Sequence, residues 1–217
     1  MQLNDKAVLV TGGGSGMGLA TAVALAREGC RVAIAGRNRA KLETAAASFS
    51  GSPSICFQAC DVADRADVAK LFAWLNDELG PLNILVNCAG INIRKRSMAE
   101  LSPEDWDRML AINATGAYNC IREALPAMRQ RKSGLIVNIS SVSGKRAYRL
   151  AGPAYCASKF AMTALGTAVG LEERAHGIKV TNIYPGEVNT PILAERPTPV
   201  PPERMAEMLQ PDDVAAM

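Results

Sequence analysis

The sequence has little of what several common kinds of active site require. It contains one histidine, His176, so a Ser-His-Asp triad could be built only around that residue. His176 lies between Ala175 and Gly177, which is typical of the end of a helix that a glycine terminates. We therefore interpret His176 as a structural residue.

Cysteine occurs six times, but without the spacing that zinc sites or redox pairs use. No two cysteines form a C-x-x-C pair. We expect reduced structural thiols, no disulfide framework, no bound metal, and no redox role for Cys88. The six residues are Cys30, Cys56, Cys60, Cys88, Cys120 and Cys156.

The chain also lacks runs of like charge and long apolar stretches. Its 24 basic and 21 acidic residues give a net charge of +3, too mild to indicate binding to nucleic acid or to an anionic membrane. Apolar runs end well before the roughly 18 residues that a membrane span needs. The amino terminus is polar and has no secretory signal. We expect a cytoplasmic protein with no nucleic-acid or membrane partner.

Short apolar runs alternate with longer amphipathic stretches along all 217 residues, and no linker divides them. This predicts one domain, 1–217, that combines cofactor binding and catalysis. Runs that are apolar throughout are typical of buried parallel strands. The alternation predicts an α/β fold, a Rossmann-type doubly wound parallel sheet with helices on both faces. Strands are predicted at 7–10, 31–35, 55–59, 83–86, 135–139 and 179–183, and helices at 17–28, 40–49, 68–79, about 103–131 and 154–174.

The last residues resemble the start of a helix. Pro211, Asp212 and Asp213 precede apolar residues, and the sequence stops about one turn later. We expect the native chain to continue with a final helix, and with a strand as a further option, that these 217 residues lack.

A glycine-rich turn, TGGGSGMG at 11–18, lies between the first predicted strand and the first helix. There a dinucleotide pyrophosphate can approach bare backbone and the positive end of the helix. The alternative is a purely conformational role for the glycines. We predict cofactor contacts by Gly12, Gly14, Ser15, Gly16, Met17 and Gly18.

The second strand ends in Gly36 and Arg37, where an acidic side chain would hold the ribose 2′-hydroxyl of NAD. No acid is present there. The Arg37 guanidinium can instead pair with a 2′-phosphate, with Arg39 as a second charge. We predict that NADP(H) is preferred and NAD(H) is possible. The alternative is that Arg37 is only a solvated loop residue.

Tyr155 and Lys159 lie four residues apart on one face of a predicted helix. The spacing alone means little. A phenol with an ordinary pKa near 10 is a poor base, but a nearby ammonium and a positive nicotinamide ring stabilise the phenolate. The strand before this helix delivers Ser140 and Ser141 at its carboxyl end, where a hydroxyl can bind the reacting oxygen. This pattern indicates interconversion of an alcohol and a carbonyl, with Tyr155 as general acid and base.

Seven features in order give the chain a close resemblance to the short-chain dehydrogenase/reductase family, from the first strand to about residue 195. They are TGGGSGMG at 11–18, Asp61, NCAG at 87–90, Asn113, ISSVSG at 139–144, YCASK at 155–159 and PGEVNT at 185–190. The resemblance implies a nicotinamide-dependent oxidoreductase that acts on a CH–OH group.

The resemblance also implies a role for each matching residue. Ser141, selected over Ser140 by the family pattern, would orient the substrate oxygen, and Tyr155 would exchange the proton. Lys159 would also bind the nicotinamide ribose, and Asn113 would hold a water for proton relay. Tyr155 and Lys159 thus contact the cofactor too. The further cofactor contacts implied are Asp61 and Val62 at the adenine, Asn87, Ala89 and Gly90 along the adenosine, and Pro185, Gly186, Val188 and Thr190, with Thr190 at the carboxamide.

The substrate is predicted to bind to three variable regions, 91–97, 145–150 and 190–202, with a lid over about 190–210. Two of them carry six basic residues, which favour an anionic or phosphopantetheine-borne substrate or form only a solvated rim. A 3-oxoacyl thioester, a sugar and a small ketone all remain open. The six residues are Arg94, Lys95, Arg96, Lys145, Arg146 and Arg149.

Small and apolar residues on the helices near 114–128 and 154–171 suit packing between identical subunits, and the resemblance implies a homodimer or homotetramer. A different class of function is a non-catalytic dinucleotide-binding sensor or scaffold of the same fold. The joint presence of Ser141, Tyr155, Lys159 and Asn113 favours the enzyme.

Overall fold

The structure, a computed structural model, describes residues 2–217. Six parallel strands form one sheet in the order β3-β2-β1-β4-β5-β6. They are β1 (Ala7–Thr11), β2 (Arg31–Gly36), β3 (Cys56–Ala59), β4 (Ile84–Asn87), β5 (Gly134–Ile139) and β6 (Ile178–Ile183). The strand order reverses between β1 and β4, which is the place where doubly wound sheets bind their ligands.

Eight α-helices accompany the sheet among the described residues. They are α1 (Gly16–Arg27), α2 (Arg39–Ala47), α3 (Arg65–Leu79), α4 (Pro103–Leu110), α5 (Gly116–Gln130), α6 (Pro153–Glu172), α7 (Pro202–Glu207) and α8 (Pro211–Ala215). The predicted α/β class and doubly wound sheet are confirmed.

Alternate residues of the central strand serve two separate apolar cores, because successive side chains of a strand point to opposite faces. Leu9 of β1 packs with Leu71 of α3 and Ile121 of α5 on one side. Val8 packs with Ala22 of α1 and Leu42 of α2 on the other. Both faces of the sheet are therefore covered at its centre, which explains why the runs of β1 and β4 are almost wholly apolar.

Beside shifts of one to three residues at the ends of several elements, two regions differ from the sequence prediction in the type of helical turn. The region predicted as helical over about 103–131 contains a π-helical turn, Ala111–Thr115, between α4 and α5. The helix predicted to reach residue 174 ends at Glu172 and continues as a 3₁₀ turn, Glu173–His176, which Gly177 terminates at φ +71°. Apolar periodicity does not distinguish one type of helical turn from another, so neither change was visible in the sequence.

The segment after β6 folds over the carboxyl edge of the sheet. It contains a 3₁₀ turn, Pro191–Glu195, and α7, held together by an apolar cluster of Leu193, Val200 and Met208. The helix start predicted at Pro211 is confirmed as α8, which packs on α1. None of the helices in residues 2–217 has the length and hydropathy needed to cross a membrane.

Candidate active site

The glycine-rich turn packs tightly against the end of β4. Gly12 has φ +69°, and a Cβ there would lie 2.8 Å from Ala89 Cα. A Cβ on Gly18 would collide with the carbonyl oxygen of Gly12. The hydroxyl of Thr11 accepts hydrogen bonds from the backbone N–H groups of Cys88 (3.1 Å) and Ala89 (3.2 Å). The turn and the NCAG segment therefore form one continuous edge.

The outer side of this turn is free to take a dinucleotide. A Cβ on Gly14 would meet its nearest neighbour, Leu42, only at an ordinary 3.5 Å, so packing within the protein does not require glycine there. At the start of α1, Ser15 makes no side-chain capping bond and the first turn holds no acidic residue. The N–H groups at this helix end are thus available to an anion, which fits a bound pyrophosphate.

The end of β2 presents a basic edge beside the glycine turn. Arg37 is exposed, and a Cβ on Gly36 would have only Leu42 near it, at 3.6 Å. Arg39 instead lies over the Phe57 ring, 5.3 Å from its centroid. Of the two arginines, Arg37 is the one left available for a 2′-phosphate.

Two residues predicted to contact the cofactor have side chains that serve the protein interior. Val62 is 5% exposed and packs against Gly116 of α5. The Asn87 amide is 2% exposed and donates to Asn138 Oδ1 at 2.9 Å, and Asn138 donates in turn to Asn182 at 3.0 Å. Cofactor contacts by Val62 and Asn87 therefore stay predictions that their backbone atoms would have to fulfil. Asp61 is partly exposed, and its carboxylate accepts from the N–H of Ala63 at 3.0 Å.

Lys159 and Tyr155 lie together on the first turns of α6. Lys159 is 4% exposed; its Nζ donates to Ile139 O at 2.8 Å and lies 5.7 Å from the centroid of the Tyr155 ring. Burial lowers the pKa of Lys159 to about 8, so the ammonium is largely retained at neutral pH. Burial raises the pKa of Tyr155 to about 12, and a hydrogen bond with Ser141 opposes that rise.

The two serines that follow β5 point in different directions, as alternation along a strand predicts. The Ser140 hydroxyl lies against α6, 3.2 Å from Lys159 O and 2.9 Å from Thr163 Oγ1. Ser141 accepts from the N–H of Ser143 at 3.1 Å and approaches Tyr155. Ser141 is therefore the serine whose hydroxyl lies beside the phenol.

Asn113, in the π-helical turn, is fully buried and its amide is engaged on both sides. Its Oδ1 accepts from Ile91 N at 2.8 Å, and its Nδ2 donates to Ile91 O at 2.9 Å and to Ser158 Oγ at 3.0 Å. The side chain ties the loop after β4 to α6. Its part in a water relay stays a prediction.

A cavity of about 440 Å³, here named the Tyr155 cavity, connects the hydroxyl groups of Tyr155 and Ser141 with residues predicted to contact the cofactor. Tyr155 and Ser141 line it together with Met17 of the glycine-rich turn and Thr190 of the segment after β6. Pro185, Gly186 and Val188 line it as well, so the structure brings these predicted residues to one place. A groove of about 470 Å³ between α6 and β6 is lined by none of the predicted site residues.

The Tyr155 cavity also has lining residues that sequence reasoning did not identify as site residues, among them Tyr148, Glu187 and Arg196. Arg196 donates to Glu187 at 2.6 Å, and Arg204 of α7 binds the same carboxylate at 2.9 Å. These ion pairs join two residues of the predicted lid, Arg196 and Arg204, to Glu187 at the carboxyl edge of the sheet. The local sequence around Arg196 is proline-rich and polar, and it does not predict that Arg196 forms an ion pair or lines a cavity.

Cys88 lies next to this cavity's cofactor edge. Burial raises the pKa of its thiol to about 11, although the ammonium of Lys159 acts in the opposite direction. All six cysteines are free. A protonated, partly buried thiol is a poor nucleophile, so Cys88 does not compete with Tyr155 for the chemistry of the site.

A cavity at the carboxyl ends of β5 and β6 that reaches Met17 of the glycine-rich turn and is lined by Tyr155 is typical of a nucleotide-binding oxidoreductase of the doubly wound class. Residues 6–200 match the family model described as short chain dehydrogenase. The chain belongs to the short-chain dehydrogenase family, whose members use NAD(P)(H) and act on a hydroxyl or carbonyl group of a small molecule.

Two curated relatives are each 37% identical to the chain. One is 3beta-hydroxysteroid dehydrogenase of Mediterraneibacter gnavus, matched over 209 residues, 95% of this chain and 74% of the relative. The other is glycine betaine reductase of Emericella nidulans, matched over 220 residues, 98% of this chain but only 17% of the relative. The match to the second protein thus covers a small part of a much longer polypeptide.

Solved structures show the same likeness. A variant of actinorhodin polyketide ketoreductase with NADPH has a TM-score of 0.91 and 32% identity, and the match covers 100% of this chain and 89% of that one. A 3-ketoacyl-(acyl-carrier-protein) reductase from Brucella melitensis complexed with NADH has a TM-score of 0.90 and 27% identity over 99% and 89%. The two neighbours hold different nicotinamide cofactors, so the likeness to them does not decide between NADPH and NADH.

Proposed function

We propose that this chain interconverts a ketone and a secondary alcohol with NADP(H), using Tyr155 as the general acid and base. The observation that carries the proposal is the Tyr155 cavity itself. One cavity of about 440 Å³ is lined by the phenol, by the Ser141 hydroxyl and by residues of the predicted cofactor edge. A substrate oxygen bound there would lie within reach of both hydroxyl groups.

The residues around the phenol support its role in proton transfer. The hydroxyl of Ser141 holds the substrate oxygen, and Tyr155 donates its proton to that oxygen in reduction and recovers it in oxidation. The ammonium of Lys159 stabilises the phenolate that remains. When bound, the nicotinamide supplies or accepts the hydride. Asn113 positions the loop after β4 against α6, and so fixes one wall of the site.

Replacement of the phenol tests this assignment. Tyr155→Phe should lower kcat by about 100- to 10 000-fold, because general acid–base catalysis contributes about that much, while the dissociation constant of NADPH changes little. Tyr184→Phe, which keeps the ring that stacks with Lys145 and lies outside the lining of the cavity, is the matched control and should leave turnover intact. Full activity of Tyr155→Phe in a screen of carbonyl compounds would show that the mechanism is wrong. Normal NADPH binding with no turnover of any carbonyl by the wild type would favour a dinucleotide sensor.

The preference for NADP(H) rests on Arg37. It is exposed at the end of β2, where no acidic residue stands to bind a ribose 2′-hydroxyl. A charge-assisted pair with the 2′-phosphate is worth about 1.5 to 3 kcal/mol, or roughly 10- to 100-fold in affinity. Arg37→Ser should therefore lower the ratio of kcat/KM for NADPH to that for NADH by about this factor. Equal ratios in the variant and the wild type would contradict the assignment.

Assembly and location complete the proposal. Tyr118 on α5 and Phe160 on α6 are exposed aromatic side chains on the two helices expected to pack between subunits. They support a homodimer or homotetramer, which light scattering would detect and a monomer at micromolar concentration would refute. Six free cysteines suit a reducing compartment, and we place the enzyme in the cytoplasm on that ground.

A further inference from the structure

Arg96 is a buried cation on the wall of the Tyr155 cavity. It lies in the loop between β4 and α4, and only 7% of the residue is exposed. It lines the cavity together with Tyr155 and Ser141. A charged side chain is costly to bury unless an opposite charge compensates it, so the partners of Arg96 need to be identified.

The hydrogen bonds of Arg96 go to neutral oxygens. Its Nε donates to the carbonyl of Ile93 at 2.6 Å, Nη1 to that of Leu150 at 3.1 Å, and Nη2 to that of Glu195. A guanidinium has five N–H donors, so two remain after these bonds. Among residues 2–217, no carboxylate forms an ion pair with Arg96.

The charges around Arg96 do not neutralise it. Glu187 lines the same cavity, but Arg196 and Arg204 already bind its carboxylate. Burial, and next the positive charge of Arg196, lower the pKa of the Arg96 guanidinium. Glu195 acts in the opposite direction, but its side chain is exposed and makes no ion pair with Arg96. The cavity wall therefore carries an excess of positive charge.

This charge is local and does not belong to a broad basic rim. Of the six basic residues in the two substrate loops, only Arg96 lines the cavity. Arg94 donates to Ala194 O at 3.0 Å, and Lys145 lies over the ring of Tyr184, 4.3 Å from its centroid. A single buried guanidinium suits one small anionic group inside the cavity better than a long charged carrier that crosses its rim.

We propose that Arg96 binds a carboxylate of the substrate, so that the enzyme acts on oxo-carboxylates and on the corresponding hydroxy-carboxylates. This inference rests on the proposed function, because it requires the substrate carbonyl to lie at Tyr155. The two remaining N–H donors match the two oxygens of a carboxylate. Leu150 and Ile192 line the same cavity and offer apolar surface to the carbon chain between the two groups.

The test compares short-chain oxo-carboxylates with their primary amides, which have nearly the same shape but no charge. Turnover is followed by loss of nicotinamide absorbance with NADPH. In the wild type, kcat/KM should be at least about tenfold higher for the acids, because a hydrogen bond to a charged group contributes about 1.5 to 3 kcal/mol. Arg96→Gln should lower kcat/KM for the acids by about 10- to 100-fold, mainly through KM, and for the amides far less.

Arg94→Gln is the matched control, since it removes a comparable bond to the same lid from a residue outside the cavity. It should change acid and amide rates by the same factor. Arg96→Lys keeps the positive charge but loses the planar guanidinium that can bind both oxygens of a carboxylate. It should retain part of the preference for the acids over the amides. These two variants separate recognition of the anion from loosening of the lid.

The possible outcomes test the role of Arg96 separately from the proposed ketone reduction at Tyr155. If amides or neutral ketones are reduced as fast as the acids in a Tyr155-dependent reaction, the proposed function stands and the role of Arg96 is wrong. If no carbonyl is reduced, the probe becomes binding of saturated short-chain carboxylates to the NADPH-loaded protein, measured calorimetrically. Binding that Arg96→Gln abolishes supports the site, and the absence of carboxylate binding overturns it.

Discussion

Lys159→Met should make the protein more stable while it destroys activity. The Nζ of Lys159 is buried, and it donates to the carbonyl of Ile139 at 2.8 Å and lies 4.0 Å from the sulfur of Met162. Burial lowers the pKa of this ammonium from 10.5 to about 8. At about 1.36 kcal/mol per pKa unit, the folded protein carries a penalty of about 3 kcal/mol for keeping the charge at neutral pH.

Methionine has a similar length and no charge, so it removes that penalty. The variant loses the charge-assisted bond to Ile139, which contributes about 2 kcal/mol. The net gain in the free energy of unfolding is about 1 kcal/mol, which for a chain of this size corresponds to about 2 to 4 °C in Tm. Lys70→Met on the exposed face of α3 is the control, and it should change stability by less than about 0.5 kcal/mol.

The pH dependence gives a second readout. Below about pH 8 the lysine is charged in both the folded and the unfolded protein, and the variant holds its full advantage. Between about 8 and 10.5 the unfolded wild type binds more protons than the folded one, so the wild type gains stability as pH rises and the difference shrinks. Thermal denaturation of cofactor-free protein at about pH 7 and pH 9.5 measures both effects. A variant less stable than the wild type at pH 7 would refute the reasoning.

Three further substitutions test the structure elsewhere. Glu173→Gln should destabilise the protein by about 2 kcal/mol at pH 7, because Glu173 is buried and bound by Arg129, although Arg129 itself is half exposed. The hydrogen bond from Arg129 lowers the pKa of Glu173, so the difference should disappear in urea unfolding as pH falls through that lowered pKa. Gly14→Ala should keep its Tm but bind NADPH more weakly, whereas Gly18→Ala should lose about 1 to 3 kcal/mol of stability through collision with Gly12. Equal Tm values for the two glycine variants would contradict the packing described.

The sequence predicted the sheet and the acid–base pair because both depend on local pattern. The central strands β1 and β4 are almost wholly apolar, and the glycine-rich turn, the strand-end serines and the spacing of Tyr155 and Lys159 are all read within a few residues. The alternation of strands with helices predicts that the sheet is parallel, but it does not predict the order of the strands. Alternation along a strand predicts that only one of Ser140 and Ser141 faces the phenol. The resemblance to the family, and not this local rule, selected Ser141.

Features that depend on distant partners were not predictable in this way. Arg96 looked like one member of a basic loop, but its partners Leu150 and Glu195 lie 54 and 99 residues away. The amides of Asn87, Asn138 and Asn182 form a chain across β4, β5 and β6 only because these strands pair in that register. No period in the sequence reports a register between strands, so the structural use of Asn87 was missed.

Arg96 and Lys159 share a property that connects stability to function. Both are buried cations near Tyr155, and in the described chain both donate to backbone carbonyls instead of forming ion pairs with acids. Such an arrangement destabilises the ligand-free protein. It favours any negative oxygen that forms or binds between the two cations, whether the phenolate of Tyr155 or an anionic group of the substrate. The charges of Arg96 and Lys159, which lower the stability of the ligand-free protein, would therefore let the site stabilise negative charge during the reaction.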